Sequence, residues 1–346
     1  MKFFRCLCRV LLAVASFNIK SGSADKRHCS LDRAVDGEWV NETYPYTSAF
    51  ARSNNPDIWH QERCPWQEER FSCYFTDQSQ LNGRGFQTEN RKFIPKTCSY
   101  REFSPTKFLE LMRGRTLLLC CDSLSNQMTT NLACSLHGST TVDYNRSERF
   151  IYYPEYNFTL SNAYTNKHAL NNKSHAQNSL AEYRDFANLR PKQDIMVINF
   201  GLHFYADSDR KLTPLLRAIA EEYVRDKDKL PVILWKETTP EHHAGYSKSE
   251  RKECKPFANL DASYATDARV ILAHKILSPV GIPIMYVFNA TRTEWWTHVT
   301  TYYKESGWKD CVHFCDVAGA QMFIREVLYN HLVEIFSNAT ESQFQS

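Results

Sequence analysis

The sequence predicts a three-layer α/β/α fold built on a parallel sheet, and three observations carry that reading. From Lys107 onward short apolar runs alternate with longer amphipathic ones; the short runs are rich in Val, Ile and Leu with little polar alternation; and the chain of 346 residues, 42% hydrophobic, is long enough to bury a sizeable core. The strands expected are Thr116 to Cys121, Ile195 to Phe200, Val232 to Lys236 and Ile282 to Phe288. Unbroken apolar runs of this length fit strands covered on both faces. Between them, Leu212, Leu215, Leu216, Ile219 and Tyr223 fall on one helical face; Leu272 and Ile276 mark a second helix; Ile324, Val327, Leu328 and Ile335 mark the last. Residues 138 to 190 interrupt the pattern with Asn-rich and Tyr-rich sequence, read as loop with a hairpin around Phe150 to Leu160.

The first hundred residues are different. Lys2 and Arg5 precede the apolar stretch Val10 to Phe17, and Gly22-Ser23-Ala24 offers small residues for cleavage, so residues 1–24 read as a signal peptide or an uncleaved signal anchor. Residues 25–106 have little periodicity, many turn signals and four cysteines, at 29, 64, 73 and 98. A segment of that kind lacks its own core and is expected to wrap the main domain, 107–336, leaving 337–346 as a tail.

Composition narrows the setting. A formal charge of +3 with no long basic run gives no reason to expect nucleic acid. Twelve cysteines and six Asn-x-Ser/Thr acceptors, at Asn41, Asn145, Asn157, Asn172, Asn289 and Asn338, agree with the leader in pointing to the secretory pathway, either the Golgi lumen or the outside. There cysteines pair: ten remain beyond the leader, enough for five bridges whose connectivity spacing leaves open. Cys120 and Cys121, inside an apolar strand, best suit buried free thiols.

In an open parallel sheet, ligands bind beyond the carboxyl ends of the strands. The chemistry-bearing residues fall there. Ser123 follows the first strand and opens a helix, and far downstream Asp310 and His313 stand three apart before the final helix. A serine hydroxyl needs a base to become a nucleophile; His313 supplies an imidazole and Asp310 a carboxylate to fix its tautomer. The backbone N–H groups of Ser123 and Gly201, with the Asn199 amide, are candidates for an oxyanion hole, Gly201 because a residue without a side chain allows close approach. His203 and His242 are competing bases or groove-lining residues. Trp235, Trp295, Trp296, Tyr302, Tyr303 and Trp308 offer aromatic faces suited to sugar rings, which favours an extended carbohydrate as ligand. Zinc at Cys311, His313 and Cys315 is the weaker alternative in an oxidising compartment, so no metal is expected.

These motifs, in order, resemble a known family. CSLDRAVDGEWV, CPWQEERFSC, FIPKTC, KFLELMRGRTLLLCCDSLSNQ, VINFGLHF, LWKETTPEHH and DCVHFC resemble the successive motifs of the plant trichome birefringence-like polysaccharide O-acetyltransferases, of the PC-esterase group with an SGNH-hydrolase-like fold. The resemblance implies Ser123, Asp310 and His313 as triad, and disulfides Cys29 with Cys98, Cys64 with Cys134, Cys73 with Cys315 and Cys254 with Cys311. It leaves Cys120 and Cys121 over. It further implies acetyl transfer from acetyl-CoA or another acetyl donor to a polysaccharide or glycan hydroxyl through an acetyl-serine, with no bound cofactor, in a monomer. A carbohydrate acetyl esterase and an inactive glycan-binding protein are the alternatives. Cys121 stands where the family has glycine, Leu202 where it has histidine, and Phe314 where it has tryptophan.

Overall fold

The computed structural model describes residues 27–42, 66, 91–145, 150–164, 179–204, 208–243, 253–260, 267–299, 302–303, 308–316 and 319–343. The expected leader, residues 1–24, lies outside them. Among the described residues no helix is long and apolar enough to cross a membrane.

A seven-stranded sheet organises the molecule. In chain order it comprises β3 (Thr116–Cys121), β4 (Asp143–Asn145), β5 (Phe150–Tyr153), β6 (Phe158–Tyr164), β7 (Ile195–Ile198), β8 (Val232–Lys236) and β9 (Ile284–Met285), laid side by side as β4-β5-β6-β3-β7-β8-β9. The five strands from β6 to β9 are parallel, and β5 and β4 add antiparallel at one edge.

Alternation within the apolar strands builds two cores. Leu117, Leu119, Ile195, Val197 and Leu234 point to the face covered by α1 (Pro105–Leu111), α2 (Ser123–Leu136) and α7 (Gly319–Gln343). Leu118, Cys120, Met196, Ile198, Ile233 and Trp235 point to the other, covered by α3 (Leu180–Phe186), α4 (Thr213–Asp226) and α5 (Ala268–Leu277). Two covered faces remove any need for polar residues along these strands, so the expected three-layer architecture is the one observed.

Three expected elements differ in detail. The hairpin at 150–164 has Asn157 in the left-handed region at its turn, φ 47°, but its second strand continues to Tyr164 and pairs parallel with β3. Its sequence reads as loop because Ser161 and Asn162 are polar; both are buried, and the Asn162 amide donates to Leu119 O (3.3 Å) and Thr129 Oγ1 (2.9 Å). The strand expected over Ile282 to Phe288 pairs only at Ile284–Met285. Both carboxylate-facing amides, Val287 and Phe288 N–H, donate to Glu237 Oε2 at 2.7 Å, which turns the chain into the short helix α6 (Phe288–Thr291). The last helix runs to Gln343, past the expected domain end at 336.

The described parts of the N-terminal segment, 27–42, 66 and 91–106, pack against the sheet domain. Strands β1 (Gly37–Val40) and β2 (Lys92–Pro95) pair antiparallel, Cys29 bonds Cys98, and Trp39 and Phe93 pack on Phe323 of α7 at 6.1 and 4.9 Å between ring centroids. A side chain at Gly319 would meet the Arg91 carbonyl at 2.1 Å, so the wrap approaches α7 closely only because that position is glycine.

Candidate active site

The parallel strands stand in spatial order second, first, third, fourth, fifth. The chain therefore reverses its winding between β3 and β7, and in sheets of this kind ligands bind in the crevice beyond the carboxyl ends of the strands at such a point. Ser123 leaves β3 there. Asp122, extended at φ −125°, caps α2 by accepting from Ser125 N–H at 3.1 Å, and the Ser125 hydroxyl ties back to Cys120 O at 2.8 Å. This double tie fixes the turn and puts Ser123 on the first position of the helix, where its own N–H has no intrahelical acceptor.

The long connection from β9 returns Asp310 and His313 to the same point. His313 Nε2 is 2.8 Å from Ser123 Oγ, across 190 residues of sequence, and His313 Nδ1 is 2.7 Å from Asp310 Oδ2. A carboxylate only accepts, so Nδ1 carries the hydrogen and the Nε2 lone pair faces the serine hydroxyl. Asp310 Oδ1 accepts from the N–H groups of Val312 and His313, both at 3.0 Å. Burial works to raise the Asp310 pKa, but His313 and these two amides outweigh it and hold the carboxyl well below the ordinary range. Ser123 keeps 8% of its surface and the His313 side chain 12%, so the pair sits at the rim of the crevice. The arrangement can take a proton from Ser123 and return it to a leaving group or an acceptor.

The loop carrying His313 is held from three sides. Gln127, one turn after Ser123 on α2, donates to Phe314 O and to Asp316 Oδ1 (3.1 Å), and accepts from Gln321 Nε2 at 2.8 Å. His298 Nδ1 faces His313 O at 3.1 Å, with the Phe314 ring stacked on it at 4.4 Å. Cys254 bonds Cys311, and Cys315 is also disulfide-bonded, which removes both cysteines as zinc ligands. Cys134 is disulfide-bonded too; Cys64 and Cys73, the partners implied for Cys134 and Cys315, lie outside the described residues. Cys120 and Cys121, expected as free thiols, are joined by a cis peptide with their sulfurs in contact.

Several expected site residues serve the scaffold. The Asn199 amide donates to Lys236 O at 2.9 Å, its Oδ1 accepts from Gly201 N–H at 3.1 Å, and Asn199 is wholly enclosed. Both proposed oxyanion donors are thus committed to bracing the turn after β7; Ser123 N–H is the candidate that remains. Gly201 is required for another reason: a Cβ there would lie 1.7 Å from Thr238 Oγ1. Trp235 is 2% exposed and packs on Phe200 in the core, a consequence of its inward register on β8, so it is no sugar platform. His242, 1% exposed, bonds His298 and the Arg292 carbonyl and does not line a groove. Trp296 lies against the Arg91 guanidinium, 5.7 Å from its centroid, rather than free. The side chains of His203, Tyr302, Tyr303 and Trp308 lie outside the described residues.

Gln127, Lys236 and His298 were not singled out from sequence. For Gln127 a signal existed, since position i+4 from Ser123 shares its helix face. Lys236 and His298 had none: their place beneath the site is a matter of folding. Lys236 is fully buried, its ammonium donating to Glu237 O at 3.1 Å; burial lowers its pKa to about 8 against the pull of Asp122 and Glu237.

Residues 101–214 match PC-Esterase, described as a GDSL/SGNH-like acyl-esterase family found in Pmr5 and Cas1p. Over that segment, a third of the chain, the sequence is similar to the PC-Esterase family. The PC-Esterase match includes Ser123, Asn199 and Gly201 and ends before Asp310 and His313. Among curated proteins, the chain is 31% identical to Protein trichome birefringence-like 40 of Arabidopsis thaliana over 112 residues, 32% of this chain and 25% of the relative. It is 30% identical to Protein trichome birefringence-like 4 of the same plant over 135 residues, 38% of this chain and 25% of the relative. It is 32% identical over 104 residues to Probable xylan O-acetyltransferase 11 of Oryza sativa subsp. japonica, 30% of this chain and 22% of the relative. The matched segment thus spans a quarter or less of these relatives, and the resemblance drawn from the motifs is borne out over it.

Proposed function

We propose that this chain is a serine acyltransferase that moves an acetyl group onto a hydroxyl of a polysaccharide or glycan. One observation carries the reading: the unbroken run of hydrogen bonds from Ser123 Oγ through His313 to Asp310 at the switch point of the sheet. Likeness to PC-Esterase and to a probable xylan O-acetyltransferase supports the acyl group and the carbohydrate acceptor.

In the proposed sequence Ser123 Oγ attacks the acetyl carbonyl of a donor such as acetyl-CoA while His313 Nε2 takes its proton. The oxygen of the tetrahedral intermediate is met by Ser123 N–H at the first turn of α2, where the helix dipole favours negative charge. The proton passes to the leaving group, leaving acetyl-Ser123. A sugar hydroxyl then gives its proton to Nε2 and attacks the ester carbonyl; the bond from the acetyl carbon to Ser123 Oγ breaks as His313 returns the proton to Oγ, releasing the acetylated sugar and free Ser123. We further propose that this occurs in the secretory pathway, on the strength of the leader, the acceptors for N-glycans and the disulfides.

Incubation with p-nitrophenyl acetate and intact-mass measurement tests the first step. One acetyl adduct, absent in Ser123→Ala, is expected; folded protein with no adduct refutes catalysis and favours a binding role. Adding xylan oligosaccharides and measuring acetylated sugar against free acetate then separates transfer from hydrolysis, and release of acetate alone overturns the transferase reading.

A further inference from the structure

Two buried histidines meet behind the loop that carries His313. His242 Nδ1 lies 2.6 Å from His298 Nε2; the far nitrogen of His242, Nε2, is 2.9 Å from the carbonyl oxygen of Arg292; the far nitrogen of His298, Nδ1, is 3.1 Å from that of His313. Carbonyl oxygens only accept, so both far nitrogens carry hydrogen. A neutral imidazole has one N–H. Two neutral rings would use both hydrogens outward and leave two lone pairs facing each other at 2.6 Å, a repulsive contact.

We infer that His242 and His298 together hold a third proton, shared between their facing nitrogens, and that this cationic pair positions His313 by gripping its carbonyl. The inference rests on the reading of His313 as the base of Ser123.

The surroundings weigh on both sides. Burial, the largest influence, pushes His242 down to about 4 and His298 well below the ordinary value, and His243 adds repulsion to both. Opposing these are the Arg292 carbonyl at His242, and Asp310 and the His313 carbonyl at His298. Each ring also lies against an aromatic side chain, Phe257 tilted at 4.8 Å from His242 and Phe314 stacked at 4.4 Å on His298, which favours a cation. The lone-pair clash decides between them: a short, charge-assisted N–H···N contact accounts for 2.6 Å, and two neutral rings do not. The loop does not depend on the pair for its fold alone, because Val299 N–H donates to His313 O and Cys315 N–H to Thr297 O, each at 2.9 Å.

Proton counting tests the pair directly. In protein labelled with ¹⁵N-histidine at neutral pH, with His242→Asn and His298→Asn spectra for assignment, three ring N–H groups are expected across the two residues, one of them strongly deshielded. One N–H per ring, with bare facing nitrogens, overturns the inference, and this readout needs no activity. The positioning role is read from the rate of Ser123 labelling by p-nitrophenyl acetate beside chemical denaturation. His242→Asn retains a donor toward His298 without the shared proton, so labelling should slow several-fold while the denaturation midpoint changes little. An unchanged labelling rate, or slowing that only follows a loss of stability, overturns the positioning role. If the wild-type protein takes no label at all, the enzymatic reading falls while the proton count still decides the pair.

Discussion

The side chain of Gln127 reaches the carbonyl of Phe314, so the helix that presents Ser123 also holds the loop that presents His313. Ser123 and Gln127 are one turn apart on α2, and His313 and Phe314 are adjacent; two contacts between the same pair of elements fix the serine-to-imidazole distance. Gln127→Leu should therefore slow Ser123 acylation by roughly 10- to 100-fold. Removing the amide also strips a partner from buried Asp316 and Gln321, at a cost of about 1–3 kcal/mol. Stopped-flow labelling and chemical denaturation check the two effects; a stability loss with unchanged acylation would deny Gln127 its positioning role.

Ser123→Ala removes a hydroxyl at the rim of the crevice and no core contact. Acetyl labelling should vanish while the denaturation midpoint stays within about 0.5 kcal/mol of wild type. Asp310→Asn keeps the shape but no longer stabilises the imidazolium, and labelling should fall by about 10³- to 10⁴-fold.

Asp310 also ties stability to acid. Its folded pKa is depressed, so the carboxylate's contribution is complete above the ordinary aspartate value of about 4 and is lost as pH falls from there through the folded value. Denaturation measured against pH should show Asp310→Asn less stable than wild type near neutrality, with the gap closing as pH drops below about 4. A gap independent of pH would contradict the depressed value.

Gly201→Ala would drive a methyl group to 1.7 Å from Thr238 Oγ1. The turn after β7 must shift, at about 1–3 kcal/mol, and it takes with it Asn199, whose backbone pairs with Cys120 and Cys121 beside the nucleophile. Thr238→Gly in the same chain should recover part of the stability. Thermal melts of the single and double variants decide this.

Cys311→Ser breaks the bridge to Cys254 that closes 57 residues of sequence onto the loop carrying Asp310 and His313. A loss of about 2–4 kcal/mol is expected, together with slower labelling, since Asp310 is the preceding residue. An unchanged melting temperature would count against it.

The architecture was legible where burial is symmetric. Thr116–Cys121 and Val232–Lys236 read as strands because both of their faces are apolar, and they are strands over those residues. β6 was not legible, since its Ser161 and Asn162 look like loop until Leu119 O and Thr129 Oγ1 supply partners for the Asn162 amide. At the site, Ser123, Asp310 and His313 were readable as residue types at strand ends, whereas Asn199, Trp235 and His242 were read as facing substrate and turned out to face the scaffold.

Sequence alone determined the parallel strands β3, β7, β8 and β9, the two helical layers about them, and the three residues able to form a proton relay, because hydropathy period and side-chain chemistry are local properties. Only the tertiary structure decided that Ser123 and His313 come within 2.8 Å, that Asn199 and Gly201 bond each other, and that His242 meets His298. Each of these depends on which partner a polar atom finds when segments far apart in the chain pack together, and a polar atom's partner is not encoded in its own neighbourhood.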